Sequence, residues 1–329
     1  MDFRCTYLEP PVDEDDYRFI KSFNANQISN PDAINFFDEY GFIVVRDVLT
    51  REECQMTIDE MFSYIEKNYE GFDRNNLNTW EKWPDSSYGM PSKKPQFTPQ
   101  ILKNRQNPNI YNVYSSLLGT PNVLVNHDRW AIYRPTKLVG DKYKTKENIH
   151  LDICPMRFAE NDPSIWPKVD NLAYNDVSDF MMENNHVTIS DRGRQLQSIL
   201  NLVDNEENDG GLIIVPGFHK QFSQWLRTIN KLTSDECKYS INNNSIKQNA
   251  IRITCRAGSL VIWDQRCIHG SKPNHSERMR CVQFMKIFSA EKMPAKRSKA
   301  RKNAIVRELK SINLLESVTD VGKIVFGLN

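Results

Sequence analysis

Apolar and polar positions divide the chain into a helical first third and a strand-rich remainder. Residues 1 to about 30 are polar, with Pro10 and Pro11 ahead of an acidic run from Asp13 to Asp16, and read as an extended arm over the surface. Ile34 and Phe37 at helical spacing predict a helix from Pro31 to Tyr40; Gly41 ends it, and Phe42 to Val45 is a β-branched strand signal. Thr50 with Glu53 three residues later is a capping box, after which Cys54, Ile58, Met61, Phe62 and Ile65 fall on one helical face. That stripe predicts packing on a sheet. Residues 71 to 107 are too long for a plain connection, and Trp80, Trp83 and Tyr88 suggest a segment wrapped on the surface.

Strand-like periodicity takes over after Pro121, near residues 123–134, 147–153, 195–204, 210–217, 248–256, 259–269 and 278–288. Such a series predicts a mainly β barrel or sandwich with flanking helices. Asp209-Gly210-Gly211 and Ala257-Gly258 read as hairpin turns between consecutive strands. The polar interruption from Asn161 to Arg194 reads as a lid over a barrel mouth. These boundaries describe one domain: an arm and helical flank (1–120), a β core with its lid (121–290), and a basic helix with tail (291–329).

Composition narrows the partners. With 43 basic and 42 acidic side chains the net charge is +1, so no global field steers the molecule to nucleic acid or an anionic membrane. Seven cysteines without a CxxC pair argue against a disulfide framework or a structural zinc cluster and fit a reduced, cytoplasmic chain. No run of 18 apolar residues predicts a membrane span. Local charge is different: Lys292 to Lys310 holds eight basic residues against Glu308 alone, and reads as a solvated helix face or a contact for an anionic partner. Without interleaved aromatics it is not expected to bind nucleic acid.

Two clusters carry chemistry. In Asn148-Ile149-His150-Leu151-Asp152, residues 150 and 152 share one strand face and can converge on a divalent metal. In the second, Leu260 to Ser271 ends in His269-Gly270-Ser271, and a turn at Pro273 and Asn274 leads to a strand with Arg280. Pairing of those two strands would set His269 and Arg280 near one barrel end. His150, Asp152 and His269 then form a 2-His-1-carboxylate triad suited to iron(II), and the Arg280 fork suits a carboxylate. His219 is expected to be structural, His127 and Asp128 to be packing residues, and Cys154, Cys267 and Cys281 to be small buried hydrophobes.

Four ordered blocks resemble the phytanoyl-CoA dioxygenase family of iron(II) and 2-oxoglutarate-dependent oxygenases: Phe37 to Glu53, His150-Leu151-Asp152, Leu202 to Lys220 (with Phe218 where serine is usual) and Ala257 to Arg280. The resemblance implies a double-stranded β-helix (jelly-roll, cupin-like) fold, with Fe(2+) on His150, Asp152 and His269. It also implies 2-oxoglutarate and O2 as co-substrates, with Arg280 and Ser271 on the C5 carboxylate. Arg134 and Gln197 are further candidate co-substrate contacts. The expected product is a hydroxylated small molecule or lipid-like substrate, made by a monomer. Trp130, Phe158, Trp166, Tyr174, Phe180 and Met181 are candidate pocket residues, and the absence of a terminal Ser-Lys-Leu disfavours phytanoyl-CoA itself. A non-catalytic barrel that binds an anionic partner through the basic helix is the alternative, and a cupin-like metalloenzyme without 2-oxoglutarate a third reading.

Overall fold

The computed structural model describes residues 3–83, 88–91, 96–151, 196–228, 241, 243–291, 293 and 295–329. Strands come in the order β1 (Ser22–Asn24), β2 (Phe42–Arg46), β3 (Val123–Val125), β4 (Trp130–Tyr133), β5 (Asn148–His150), β6 (Leu196–Asn201), β7 (Gly211–Ile214), β8 (Ile251–Arg252), β9 (Ser259–Asp264), β10 (His269–Lys272), β11 (Arg280–Met285) and β12 (Ile287–Ser289). Among the α-helices, α1 (Pro31–Tyr40), α2 (Arg51–Asn68), α3 (Pro99–Arg105), α4 (Pro108–Leu118) and the short α5 (Thr136–Val139) lie in the first half. Then follow α6 (Phe218–Thr228), α7 (Asn244–Gln248), α8 (Ala295–Ser311) and α9 (Asp320–Phe326).

Two sheets dominate. The larger has the order β1-β2-β9-β6-β11-β4, the smaller β5-β10-β7-β8, and β3 pairs with β12 alongside. The expected hairpins at Asp209-Gly210-Gly211 and Ala257-Gly258 are not hairpins. Each of these turns carries the chain from one sheet to the other, β6 to β7 and β8 to β9. Turn chemistry is local, whereas the choice of partner is decided by distant strands; β6 pairs with β9 and β11 instead. The expectation that β10 and β11 pair across their turn fails for the same reason, since β10 lies between β5 and β7, and β11 between β4 and β6.

The first thirty residues are also more than a surface arm. Phe19, Ile20, Phe23 and Ile28 are buried, and β1 adds to the larger sheet in parallel with β2. The segment is polar on average yet carries apolar residues wherever it meets the core. Helix α2 behaves as its pattern predicts, with Thr50 Oγ1 accepting from Glu53 N and the five stripe residues buried. Trp80 and Trp83 are buried against Phe62 and Phe72, whereas Tyr88 is exposed. The lid expected at 161–194, with Phe158, Trp166, Tyr174, Phe180 and Met181, lies outside the described residues.

Buried polar links fasten the helices to the larger sheet. Tyr114 of α4 donates to Ser198 Oγ (2.7 Å), which donates to Met285 O (2.7 Å). Asn104 of α3 donates to Thr57 Oγ1 and Gln283 Oε1, both at 2.9 Å. The basic C-terminal helix is partly structural: Arg301 donates to Val125 O, Lys302 donates to Leu328 O (2.6 Å), and Ile305 and Leu309 are buried. No helix among the described residues is long and apolar enough to cross a membrane.

Beside that helix, Arg105 donates to Asn126 O and Asp128 O, and the His127 ring lies against Phe97 at a tilt of 55°. Burial, reinforced by the Arg105 and Arg301 charges, pushes the His127 imidazole down to about 2. A histidine held neutral when folded gains its proton only on unfolding, so stability falls as pH drops below the unfolded value of about 6.5. His127→Gln should therefore flatten the loss of stability between pH 6.5 and 5, which amounts to about 1.7 kcal/mol over that span from this residue in the wild type. Urea unfolding at both pH values reads the difference.

Candidate active site

The smaller sheet has two chemically distinct faces. Leu151, Val215 and Ile268 belong to an outer apolar cluster with Phe3, Phe218, Phe222 and Trp225. Phe218 is wholly buried there, which accounts for an apolar residue at that position. Strand alternation then turns His150, His269 and Ser271 to the opposite, inner face. There His150 and His269 are direct cross-strand partners, with ring centroids 4.5 Å apart. Their convergence comes from two strands 119 positions apart in sequence, and only the pairing of β5 with β10 produces it.

His269 is oriented from behind. Its Nδ1 lies 3.0 Å from Cys267 O, and a carbonyl only accepts, so Nδ1 carries the proton and the ring lone pair is on Nε2. The Trp263 ring stands 5.1 Å from the His269 ring, and Trp263 Nε1 donates to Gln197 Oε1 at 3.1 Å. Gln197 is thus brought to the site through Trp263, a residue the sequence reading assigned no role. Ser271 N and Oγ donate to Asn148 Oδ1 at 2.7 and 3.2 Å, tying the residue to β5.

Arg280 sits on the facing strand β11, 2% exposed, its guanidinium 4.8 Å from the Tyr133 ring. A Cβ on Gly211 would lie 2.6 Å from Arg280 Nε, so the bare glycine makes the space the guanidinium occupies. Gly211 pairs with Lys272, three positions along β10 from His269, roughly 10 Å at strand spacing. Arg280 Nε has no hydrogen-bond partner, and among the described residues the side chain forms no ion pair. Burial pushes its pKa below the ordinary guanidinium value, and Tyr133 holds it up. Arg278, next to it, is clamped by Asp209 and Glu206 at 2.8 Å each, which fixes where β11 starts.

Arg134 is placed differently from Arg280. Its Nη2 donates to Trp83 O (2.7 Å), and its guanidinium is sandwiched between the Trp83 and Tyr143 rings at 4.7 and 4.4 Å. This arginine pins the segment carrying Trp83 to the end of β4. His219 is structural, as expected: Nε2 bonds Asp38 O at 3.1 Å, and Nδ1 lies 3.8 Å from Cys267 Sγ. Burial pushes the Cys267 and Cys281 thiols well up, so both stay protonated as small hydrophobes. Asp152 and Cys154 lie outside the described residues, and among the described residues no three His, Cys, Asp or Glu side chains gather to hold a metal.

Comparison with known proteins decides the family. The family model for phytanoyl-CoA dioxygenase (PhyH) matches residues 178–282, which include His269 and Arg280. A Dictyostelium discoideum protein, provisionally named a phytanoyl-CoA dioxygenase, is 39% identical over 303 residues, 89% of this chain and 86% of its own. The chain belongs to the phytanoyl-CoA dioxygenase family. It is an oxidoreductase of the dioxygenase type, which sets aside the non-catalytic binding module. The ectoine dioxygenase of Bordetella bronchiseptica is 32% identical over 111 residues, 30% of this chain and 35% of its own. In fold, this phytanoyl-CoA dioxygenase family member matches the crystal structure of GIG2 from Candida albicans with a TM-score of 0.62 at 14% identity, over 93% of this chain and 79% of the other.

Gly41 buttresses the site from outside. At φ +73° it passes so close that a Cβ would lie 2.4 Å from both Cys267 Sγ and His219 Nδ1. Gly41→Ala combines left-handed strain with that clash and should cost at least about 2 kcal/mol of unfolding free energy, measured by chemical denaturation.

Proposed function

We propose that the protein is an iron(II)- and 2-oxoglutarate-dependent dioxygenase that hydroxylates a C–H bond of a small-molecule or lipid-like substrate. The observation that carries this is the inner face itself. Two histidines converge in register, one with its proton held on Nδ1, and a buried guanidinium that forms no ion pair among the described residues lies against Gly211 at the far end of the same sheet. His150, Asp152 and His269 would hold the iron, Asp152 by its place two residues after His150. Arg280 would take the C5 carboxylate, with Ser271 beside it on β10. When bound, iron(II), 2-oxoglutarate and O2 supply the oxidising power, and the co-substrate leaves as succinate and CO2.

The chain's own groups bind and orient. Cys267 O fixes the His269 tautomer, Trp263 and Gln197 wall the ligand position, and Gly211 leaves Arg280 its room. β4 to β11 alternate between the two sheets except at β7 and β8, which pair with each other in the smaller one, and this order supports reading the core as a double-stranded β-helix. All five described cysteines are free thiols, in keeping with a cytoplasmic location.

Anaerobic addition of iron(II) and 2-oxoglutarate should give a weak visible charge-transfer band that disappears in His150→Ala and in Asp152→Ala. Arg280→Ala should keep metal binding and raise the 2-oxoglutarate requirement about tenfold or more. A wild type with no band, and no succinate release in a screen of metabolites, amino acids, lipids and nucleosides, sinks the proposal.

A further inference from the structure

Helix α8 is a motif of the sequence that the reaction leaves unused. It carries seven basic residues, with Glu308 as its only acid. Part of that charge serves the fold, since Arg301 donates to Val125 O, Lys302 donates to Leu328 O and Asn329 O, and Ile305 and Leu309 are buried. Lys296, Lys299, Arg307 and Lys310 are different. All four are exposed, and among the described residues none forms an ion pair or a side-chain hydrogen bond. At roughly 100° per residue they fall with Asn303 inside an arc of about 80°, a straight row about 21 Å long, and Glu308 points roughly 140° from its centre. Because the opposite face is pinned to the body, the row is preformed.

The row selects a class of partner. A protein interface needs a packed anchor of aromatic or aliphatic side chains that excludes water, and no aromatic or large aliphatic residue stands in this row. Nucleic-acid binders add stacking aromatics or a field over the whole molecule, and a chain with net charge +1 lacks the second as the row lacks the first. An anionic bilayer asks for neither. Its charges are spread over a surface, and each lysine or arginine that reaches it raises partitioning by about fivefold.

The row also lies where the site opens to the rest of the chain. β9 and β11 both end where β6 begins, with Asp264 opposite Leu196 and Met285 opposite Ser198. From β9 a short turn leads to His269, the partner of His150. From β11 the chain continues through β12 into α8, and Arg301 reaches Val125, the residue opposite Ile287. Helix α8 is therefore anchored at the end of the sheets that carries the two histidines.

We propose that α8 is a docking surface for an anionic lipid bilayer, held by Lys296, Lys299, Arg307 and Lys310, and that it brings the histidine end of the sheets to the membrane. Docking is reversible, since four cations give a factor on the order of several hundred and no apolar anchor adds to it. The inference does not depend on the co-substrate reading above, and it fits the lipid-like substrate class of that reading.

The test is co-sedimentation of the full-length chain with vesicles of phosphatidylcholine alone and of phosphatidylcholine with about 30% phosphatidylserine, without metal or co-substrate. Wild type should pellet with the anionic vesicles only, and raising sodium chloride from about 0.05 to 0.3 M should weaken binding about tenfold or more. Lys299→Glu with Arg307→Glu should weaken it by at least about a hundredfold, and Lys299→Arg with Arg307→Lys should leave it unchanged. All these positions are exposed, so each variant should melt with the wild type. Pelleting with both kinds of vesicle, or with neither, overturns the proposal. Equal loss in Lys67→Glu with Lys247→Glu, two exposed lysines on α2 and α7, overturns it as an effect of net charge. Tighter binding to a DNA duplex than to the anionic vesicles at the same salt overturns the bilayer as occupant.

Discussion

Everything at the site depends on the register between β5 and β10. A shift of one residue would turn His269 and Ser271 to the outer face and bring Ile268 and Gly270 inward. The forces that prevent this lie mostly on the other side of the sheet. Leu151, Val215 and Ile268 are each buried in the outer cluster, and each contributes about 1.5–3 kcal/mol by leaving water. The Asn148 bonds to Ser271 add about 1 kcal/mol apiece and reinforce the same alignment. Gly270 adds an exclusion, because a Cβ there would lie 1.9 Å from Asn148 O. Apolar burial on one face therefore places the histidines on the other.

The larger sheet serves as a rigid counterpart. Its outer side is bolted to α2, α3 and α4 through Asn104, Tyr114 and Ser198, which leaves its inner residues Trp263, Gln197 and Arg280 with little freedom to move. Precision at a metal or carboxylate site comes from such supports more than from the contacting residues. The crossing turns matter here too. Because the chain switches sheet at Gly210-Gly211 and at Ala257-Gly258, residues close in sequence end on facing walls, and an inner cavity can carry donors from both.

How much of this was legible beforehand differs by residue. His150, His269 and Arg280 stand out because their types and short-range spacing already announce their chemistry, and the structure puts the first two in register. The helix at Thr50 was legible because its cap and apolar stripe are local features. Strand partnership was not, since Gly210-Gly211 specifies a turn without specifying which sheet the next strand joins. The buried N-terminal segment was hidden by its average polarity, which masks Phe19, Ile20 and Phe23. Arg134 and Arg280 show a further limit. Arg134 follows β4 and Arg280 opens β11 beside it, and only the atoms around them separate a carbonyl clip from a guanidinium with no ion pair among the described residues.

The buried Arg280 exposes a tension in the design. Folding must carry a guanidinium that is 2% exposed and forms no ion pair among the described residues. A fold selected for stability alone would put an apolar residue of similar volume there, a change of the kind that is often neutral or stabilising by about 1–4 kcal/mol. Retaining the arginine makes sense where the counter-charge arrives with a ligand, for the strain is then relieved only in the bound state. The empty protein gives up stability, and the complex recovers it as affinity. Gly211 fits the same logic, a backbone position kept bare at φ +149° so that a cation can lie against it. The two ends of β10 differ accordingly: near His269 stand imidazole rings, and beyond Ser271 stands the Arg280 guanidinium against Gly211. On the proposed reading a metal would occupy the first place and the distal carboxylate of its co-substrate the second.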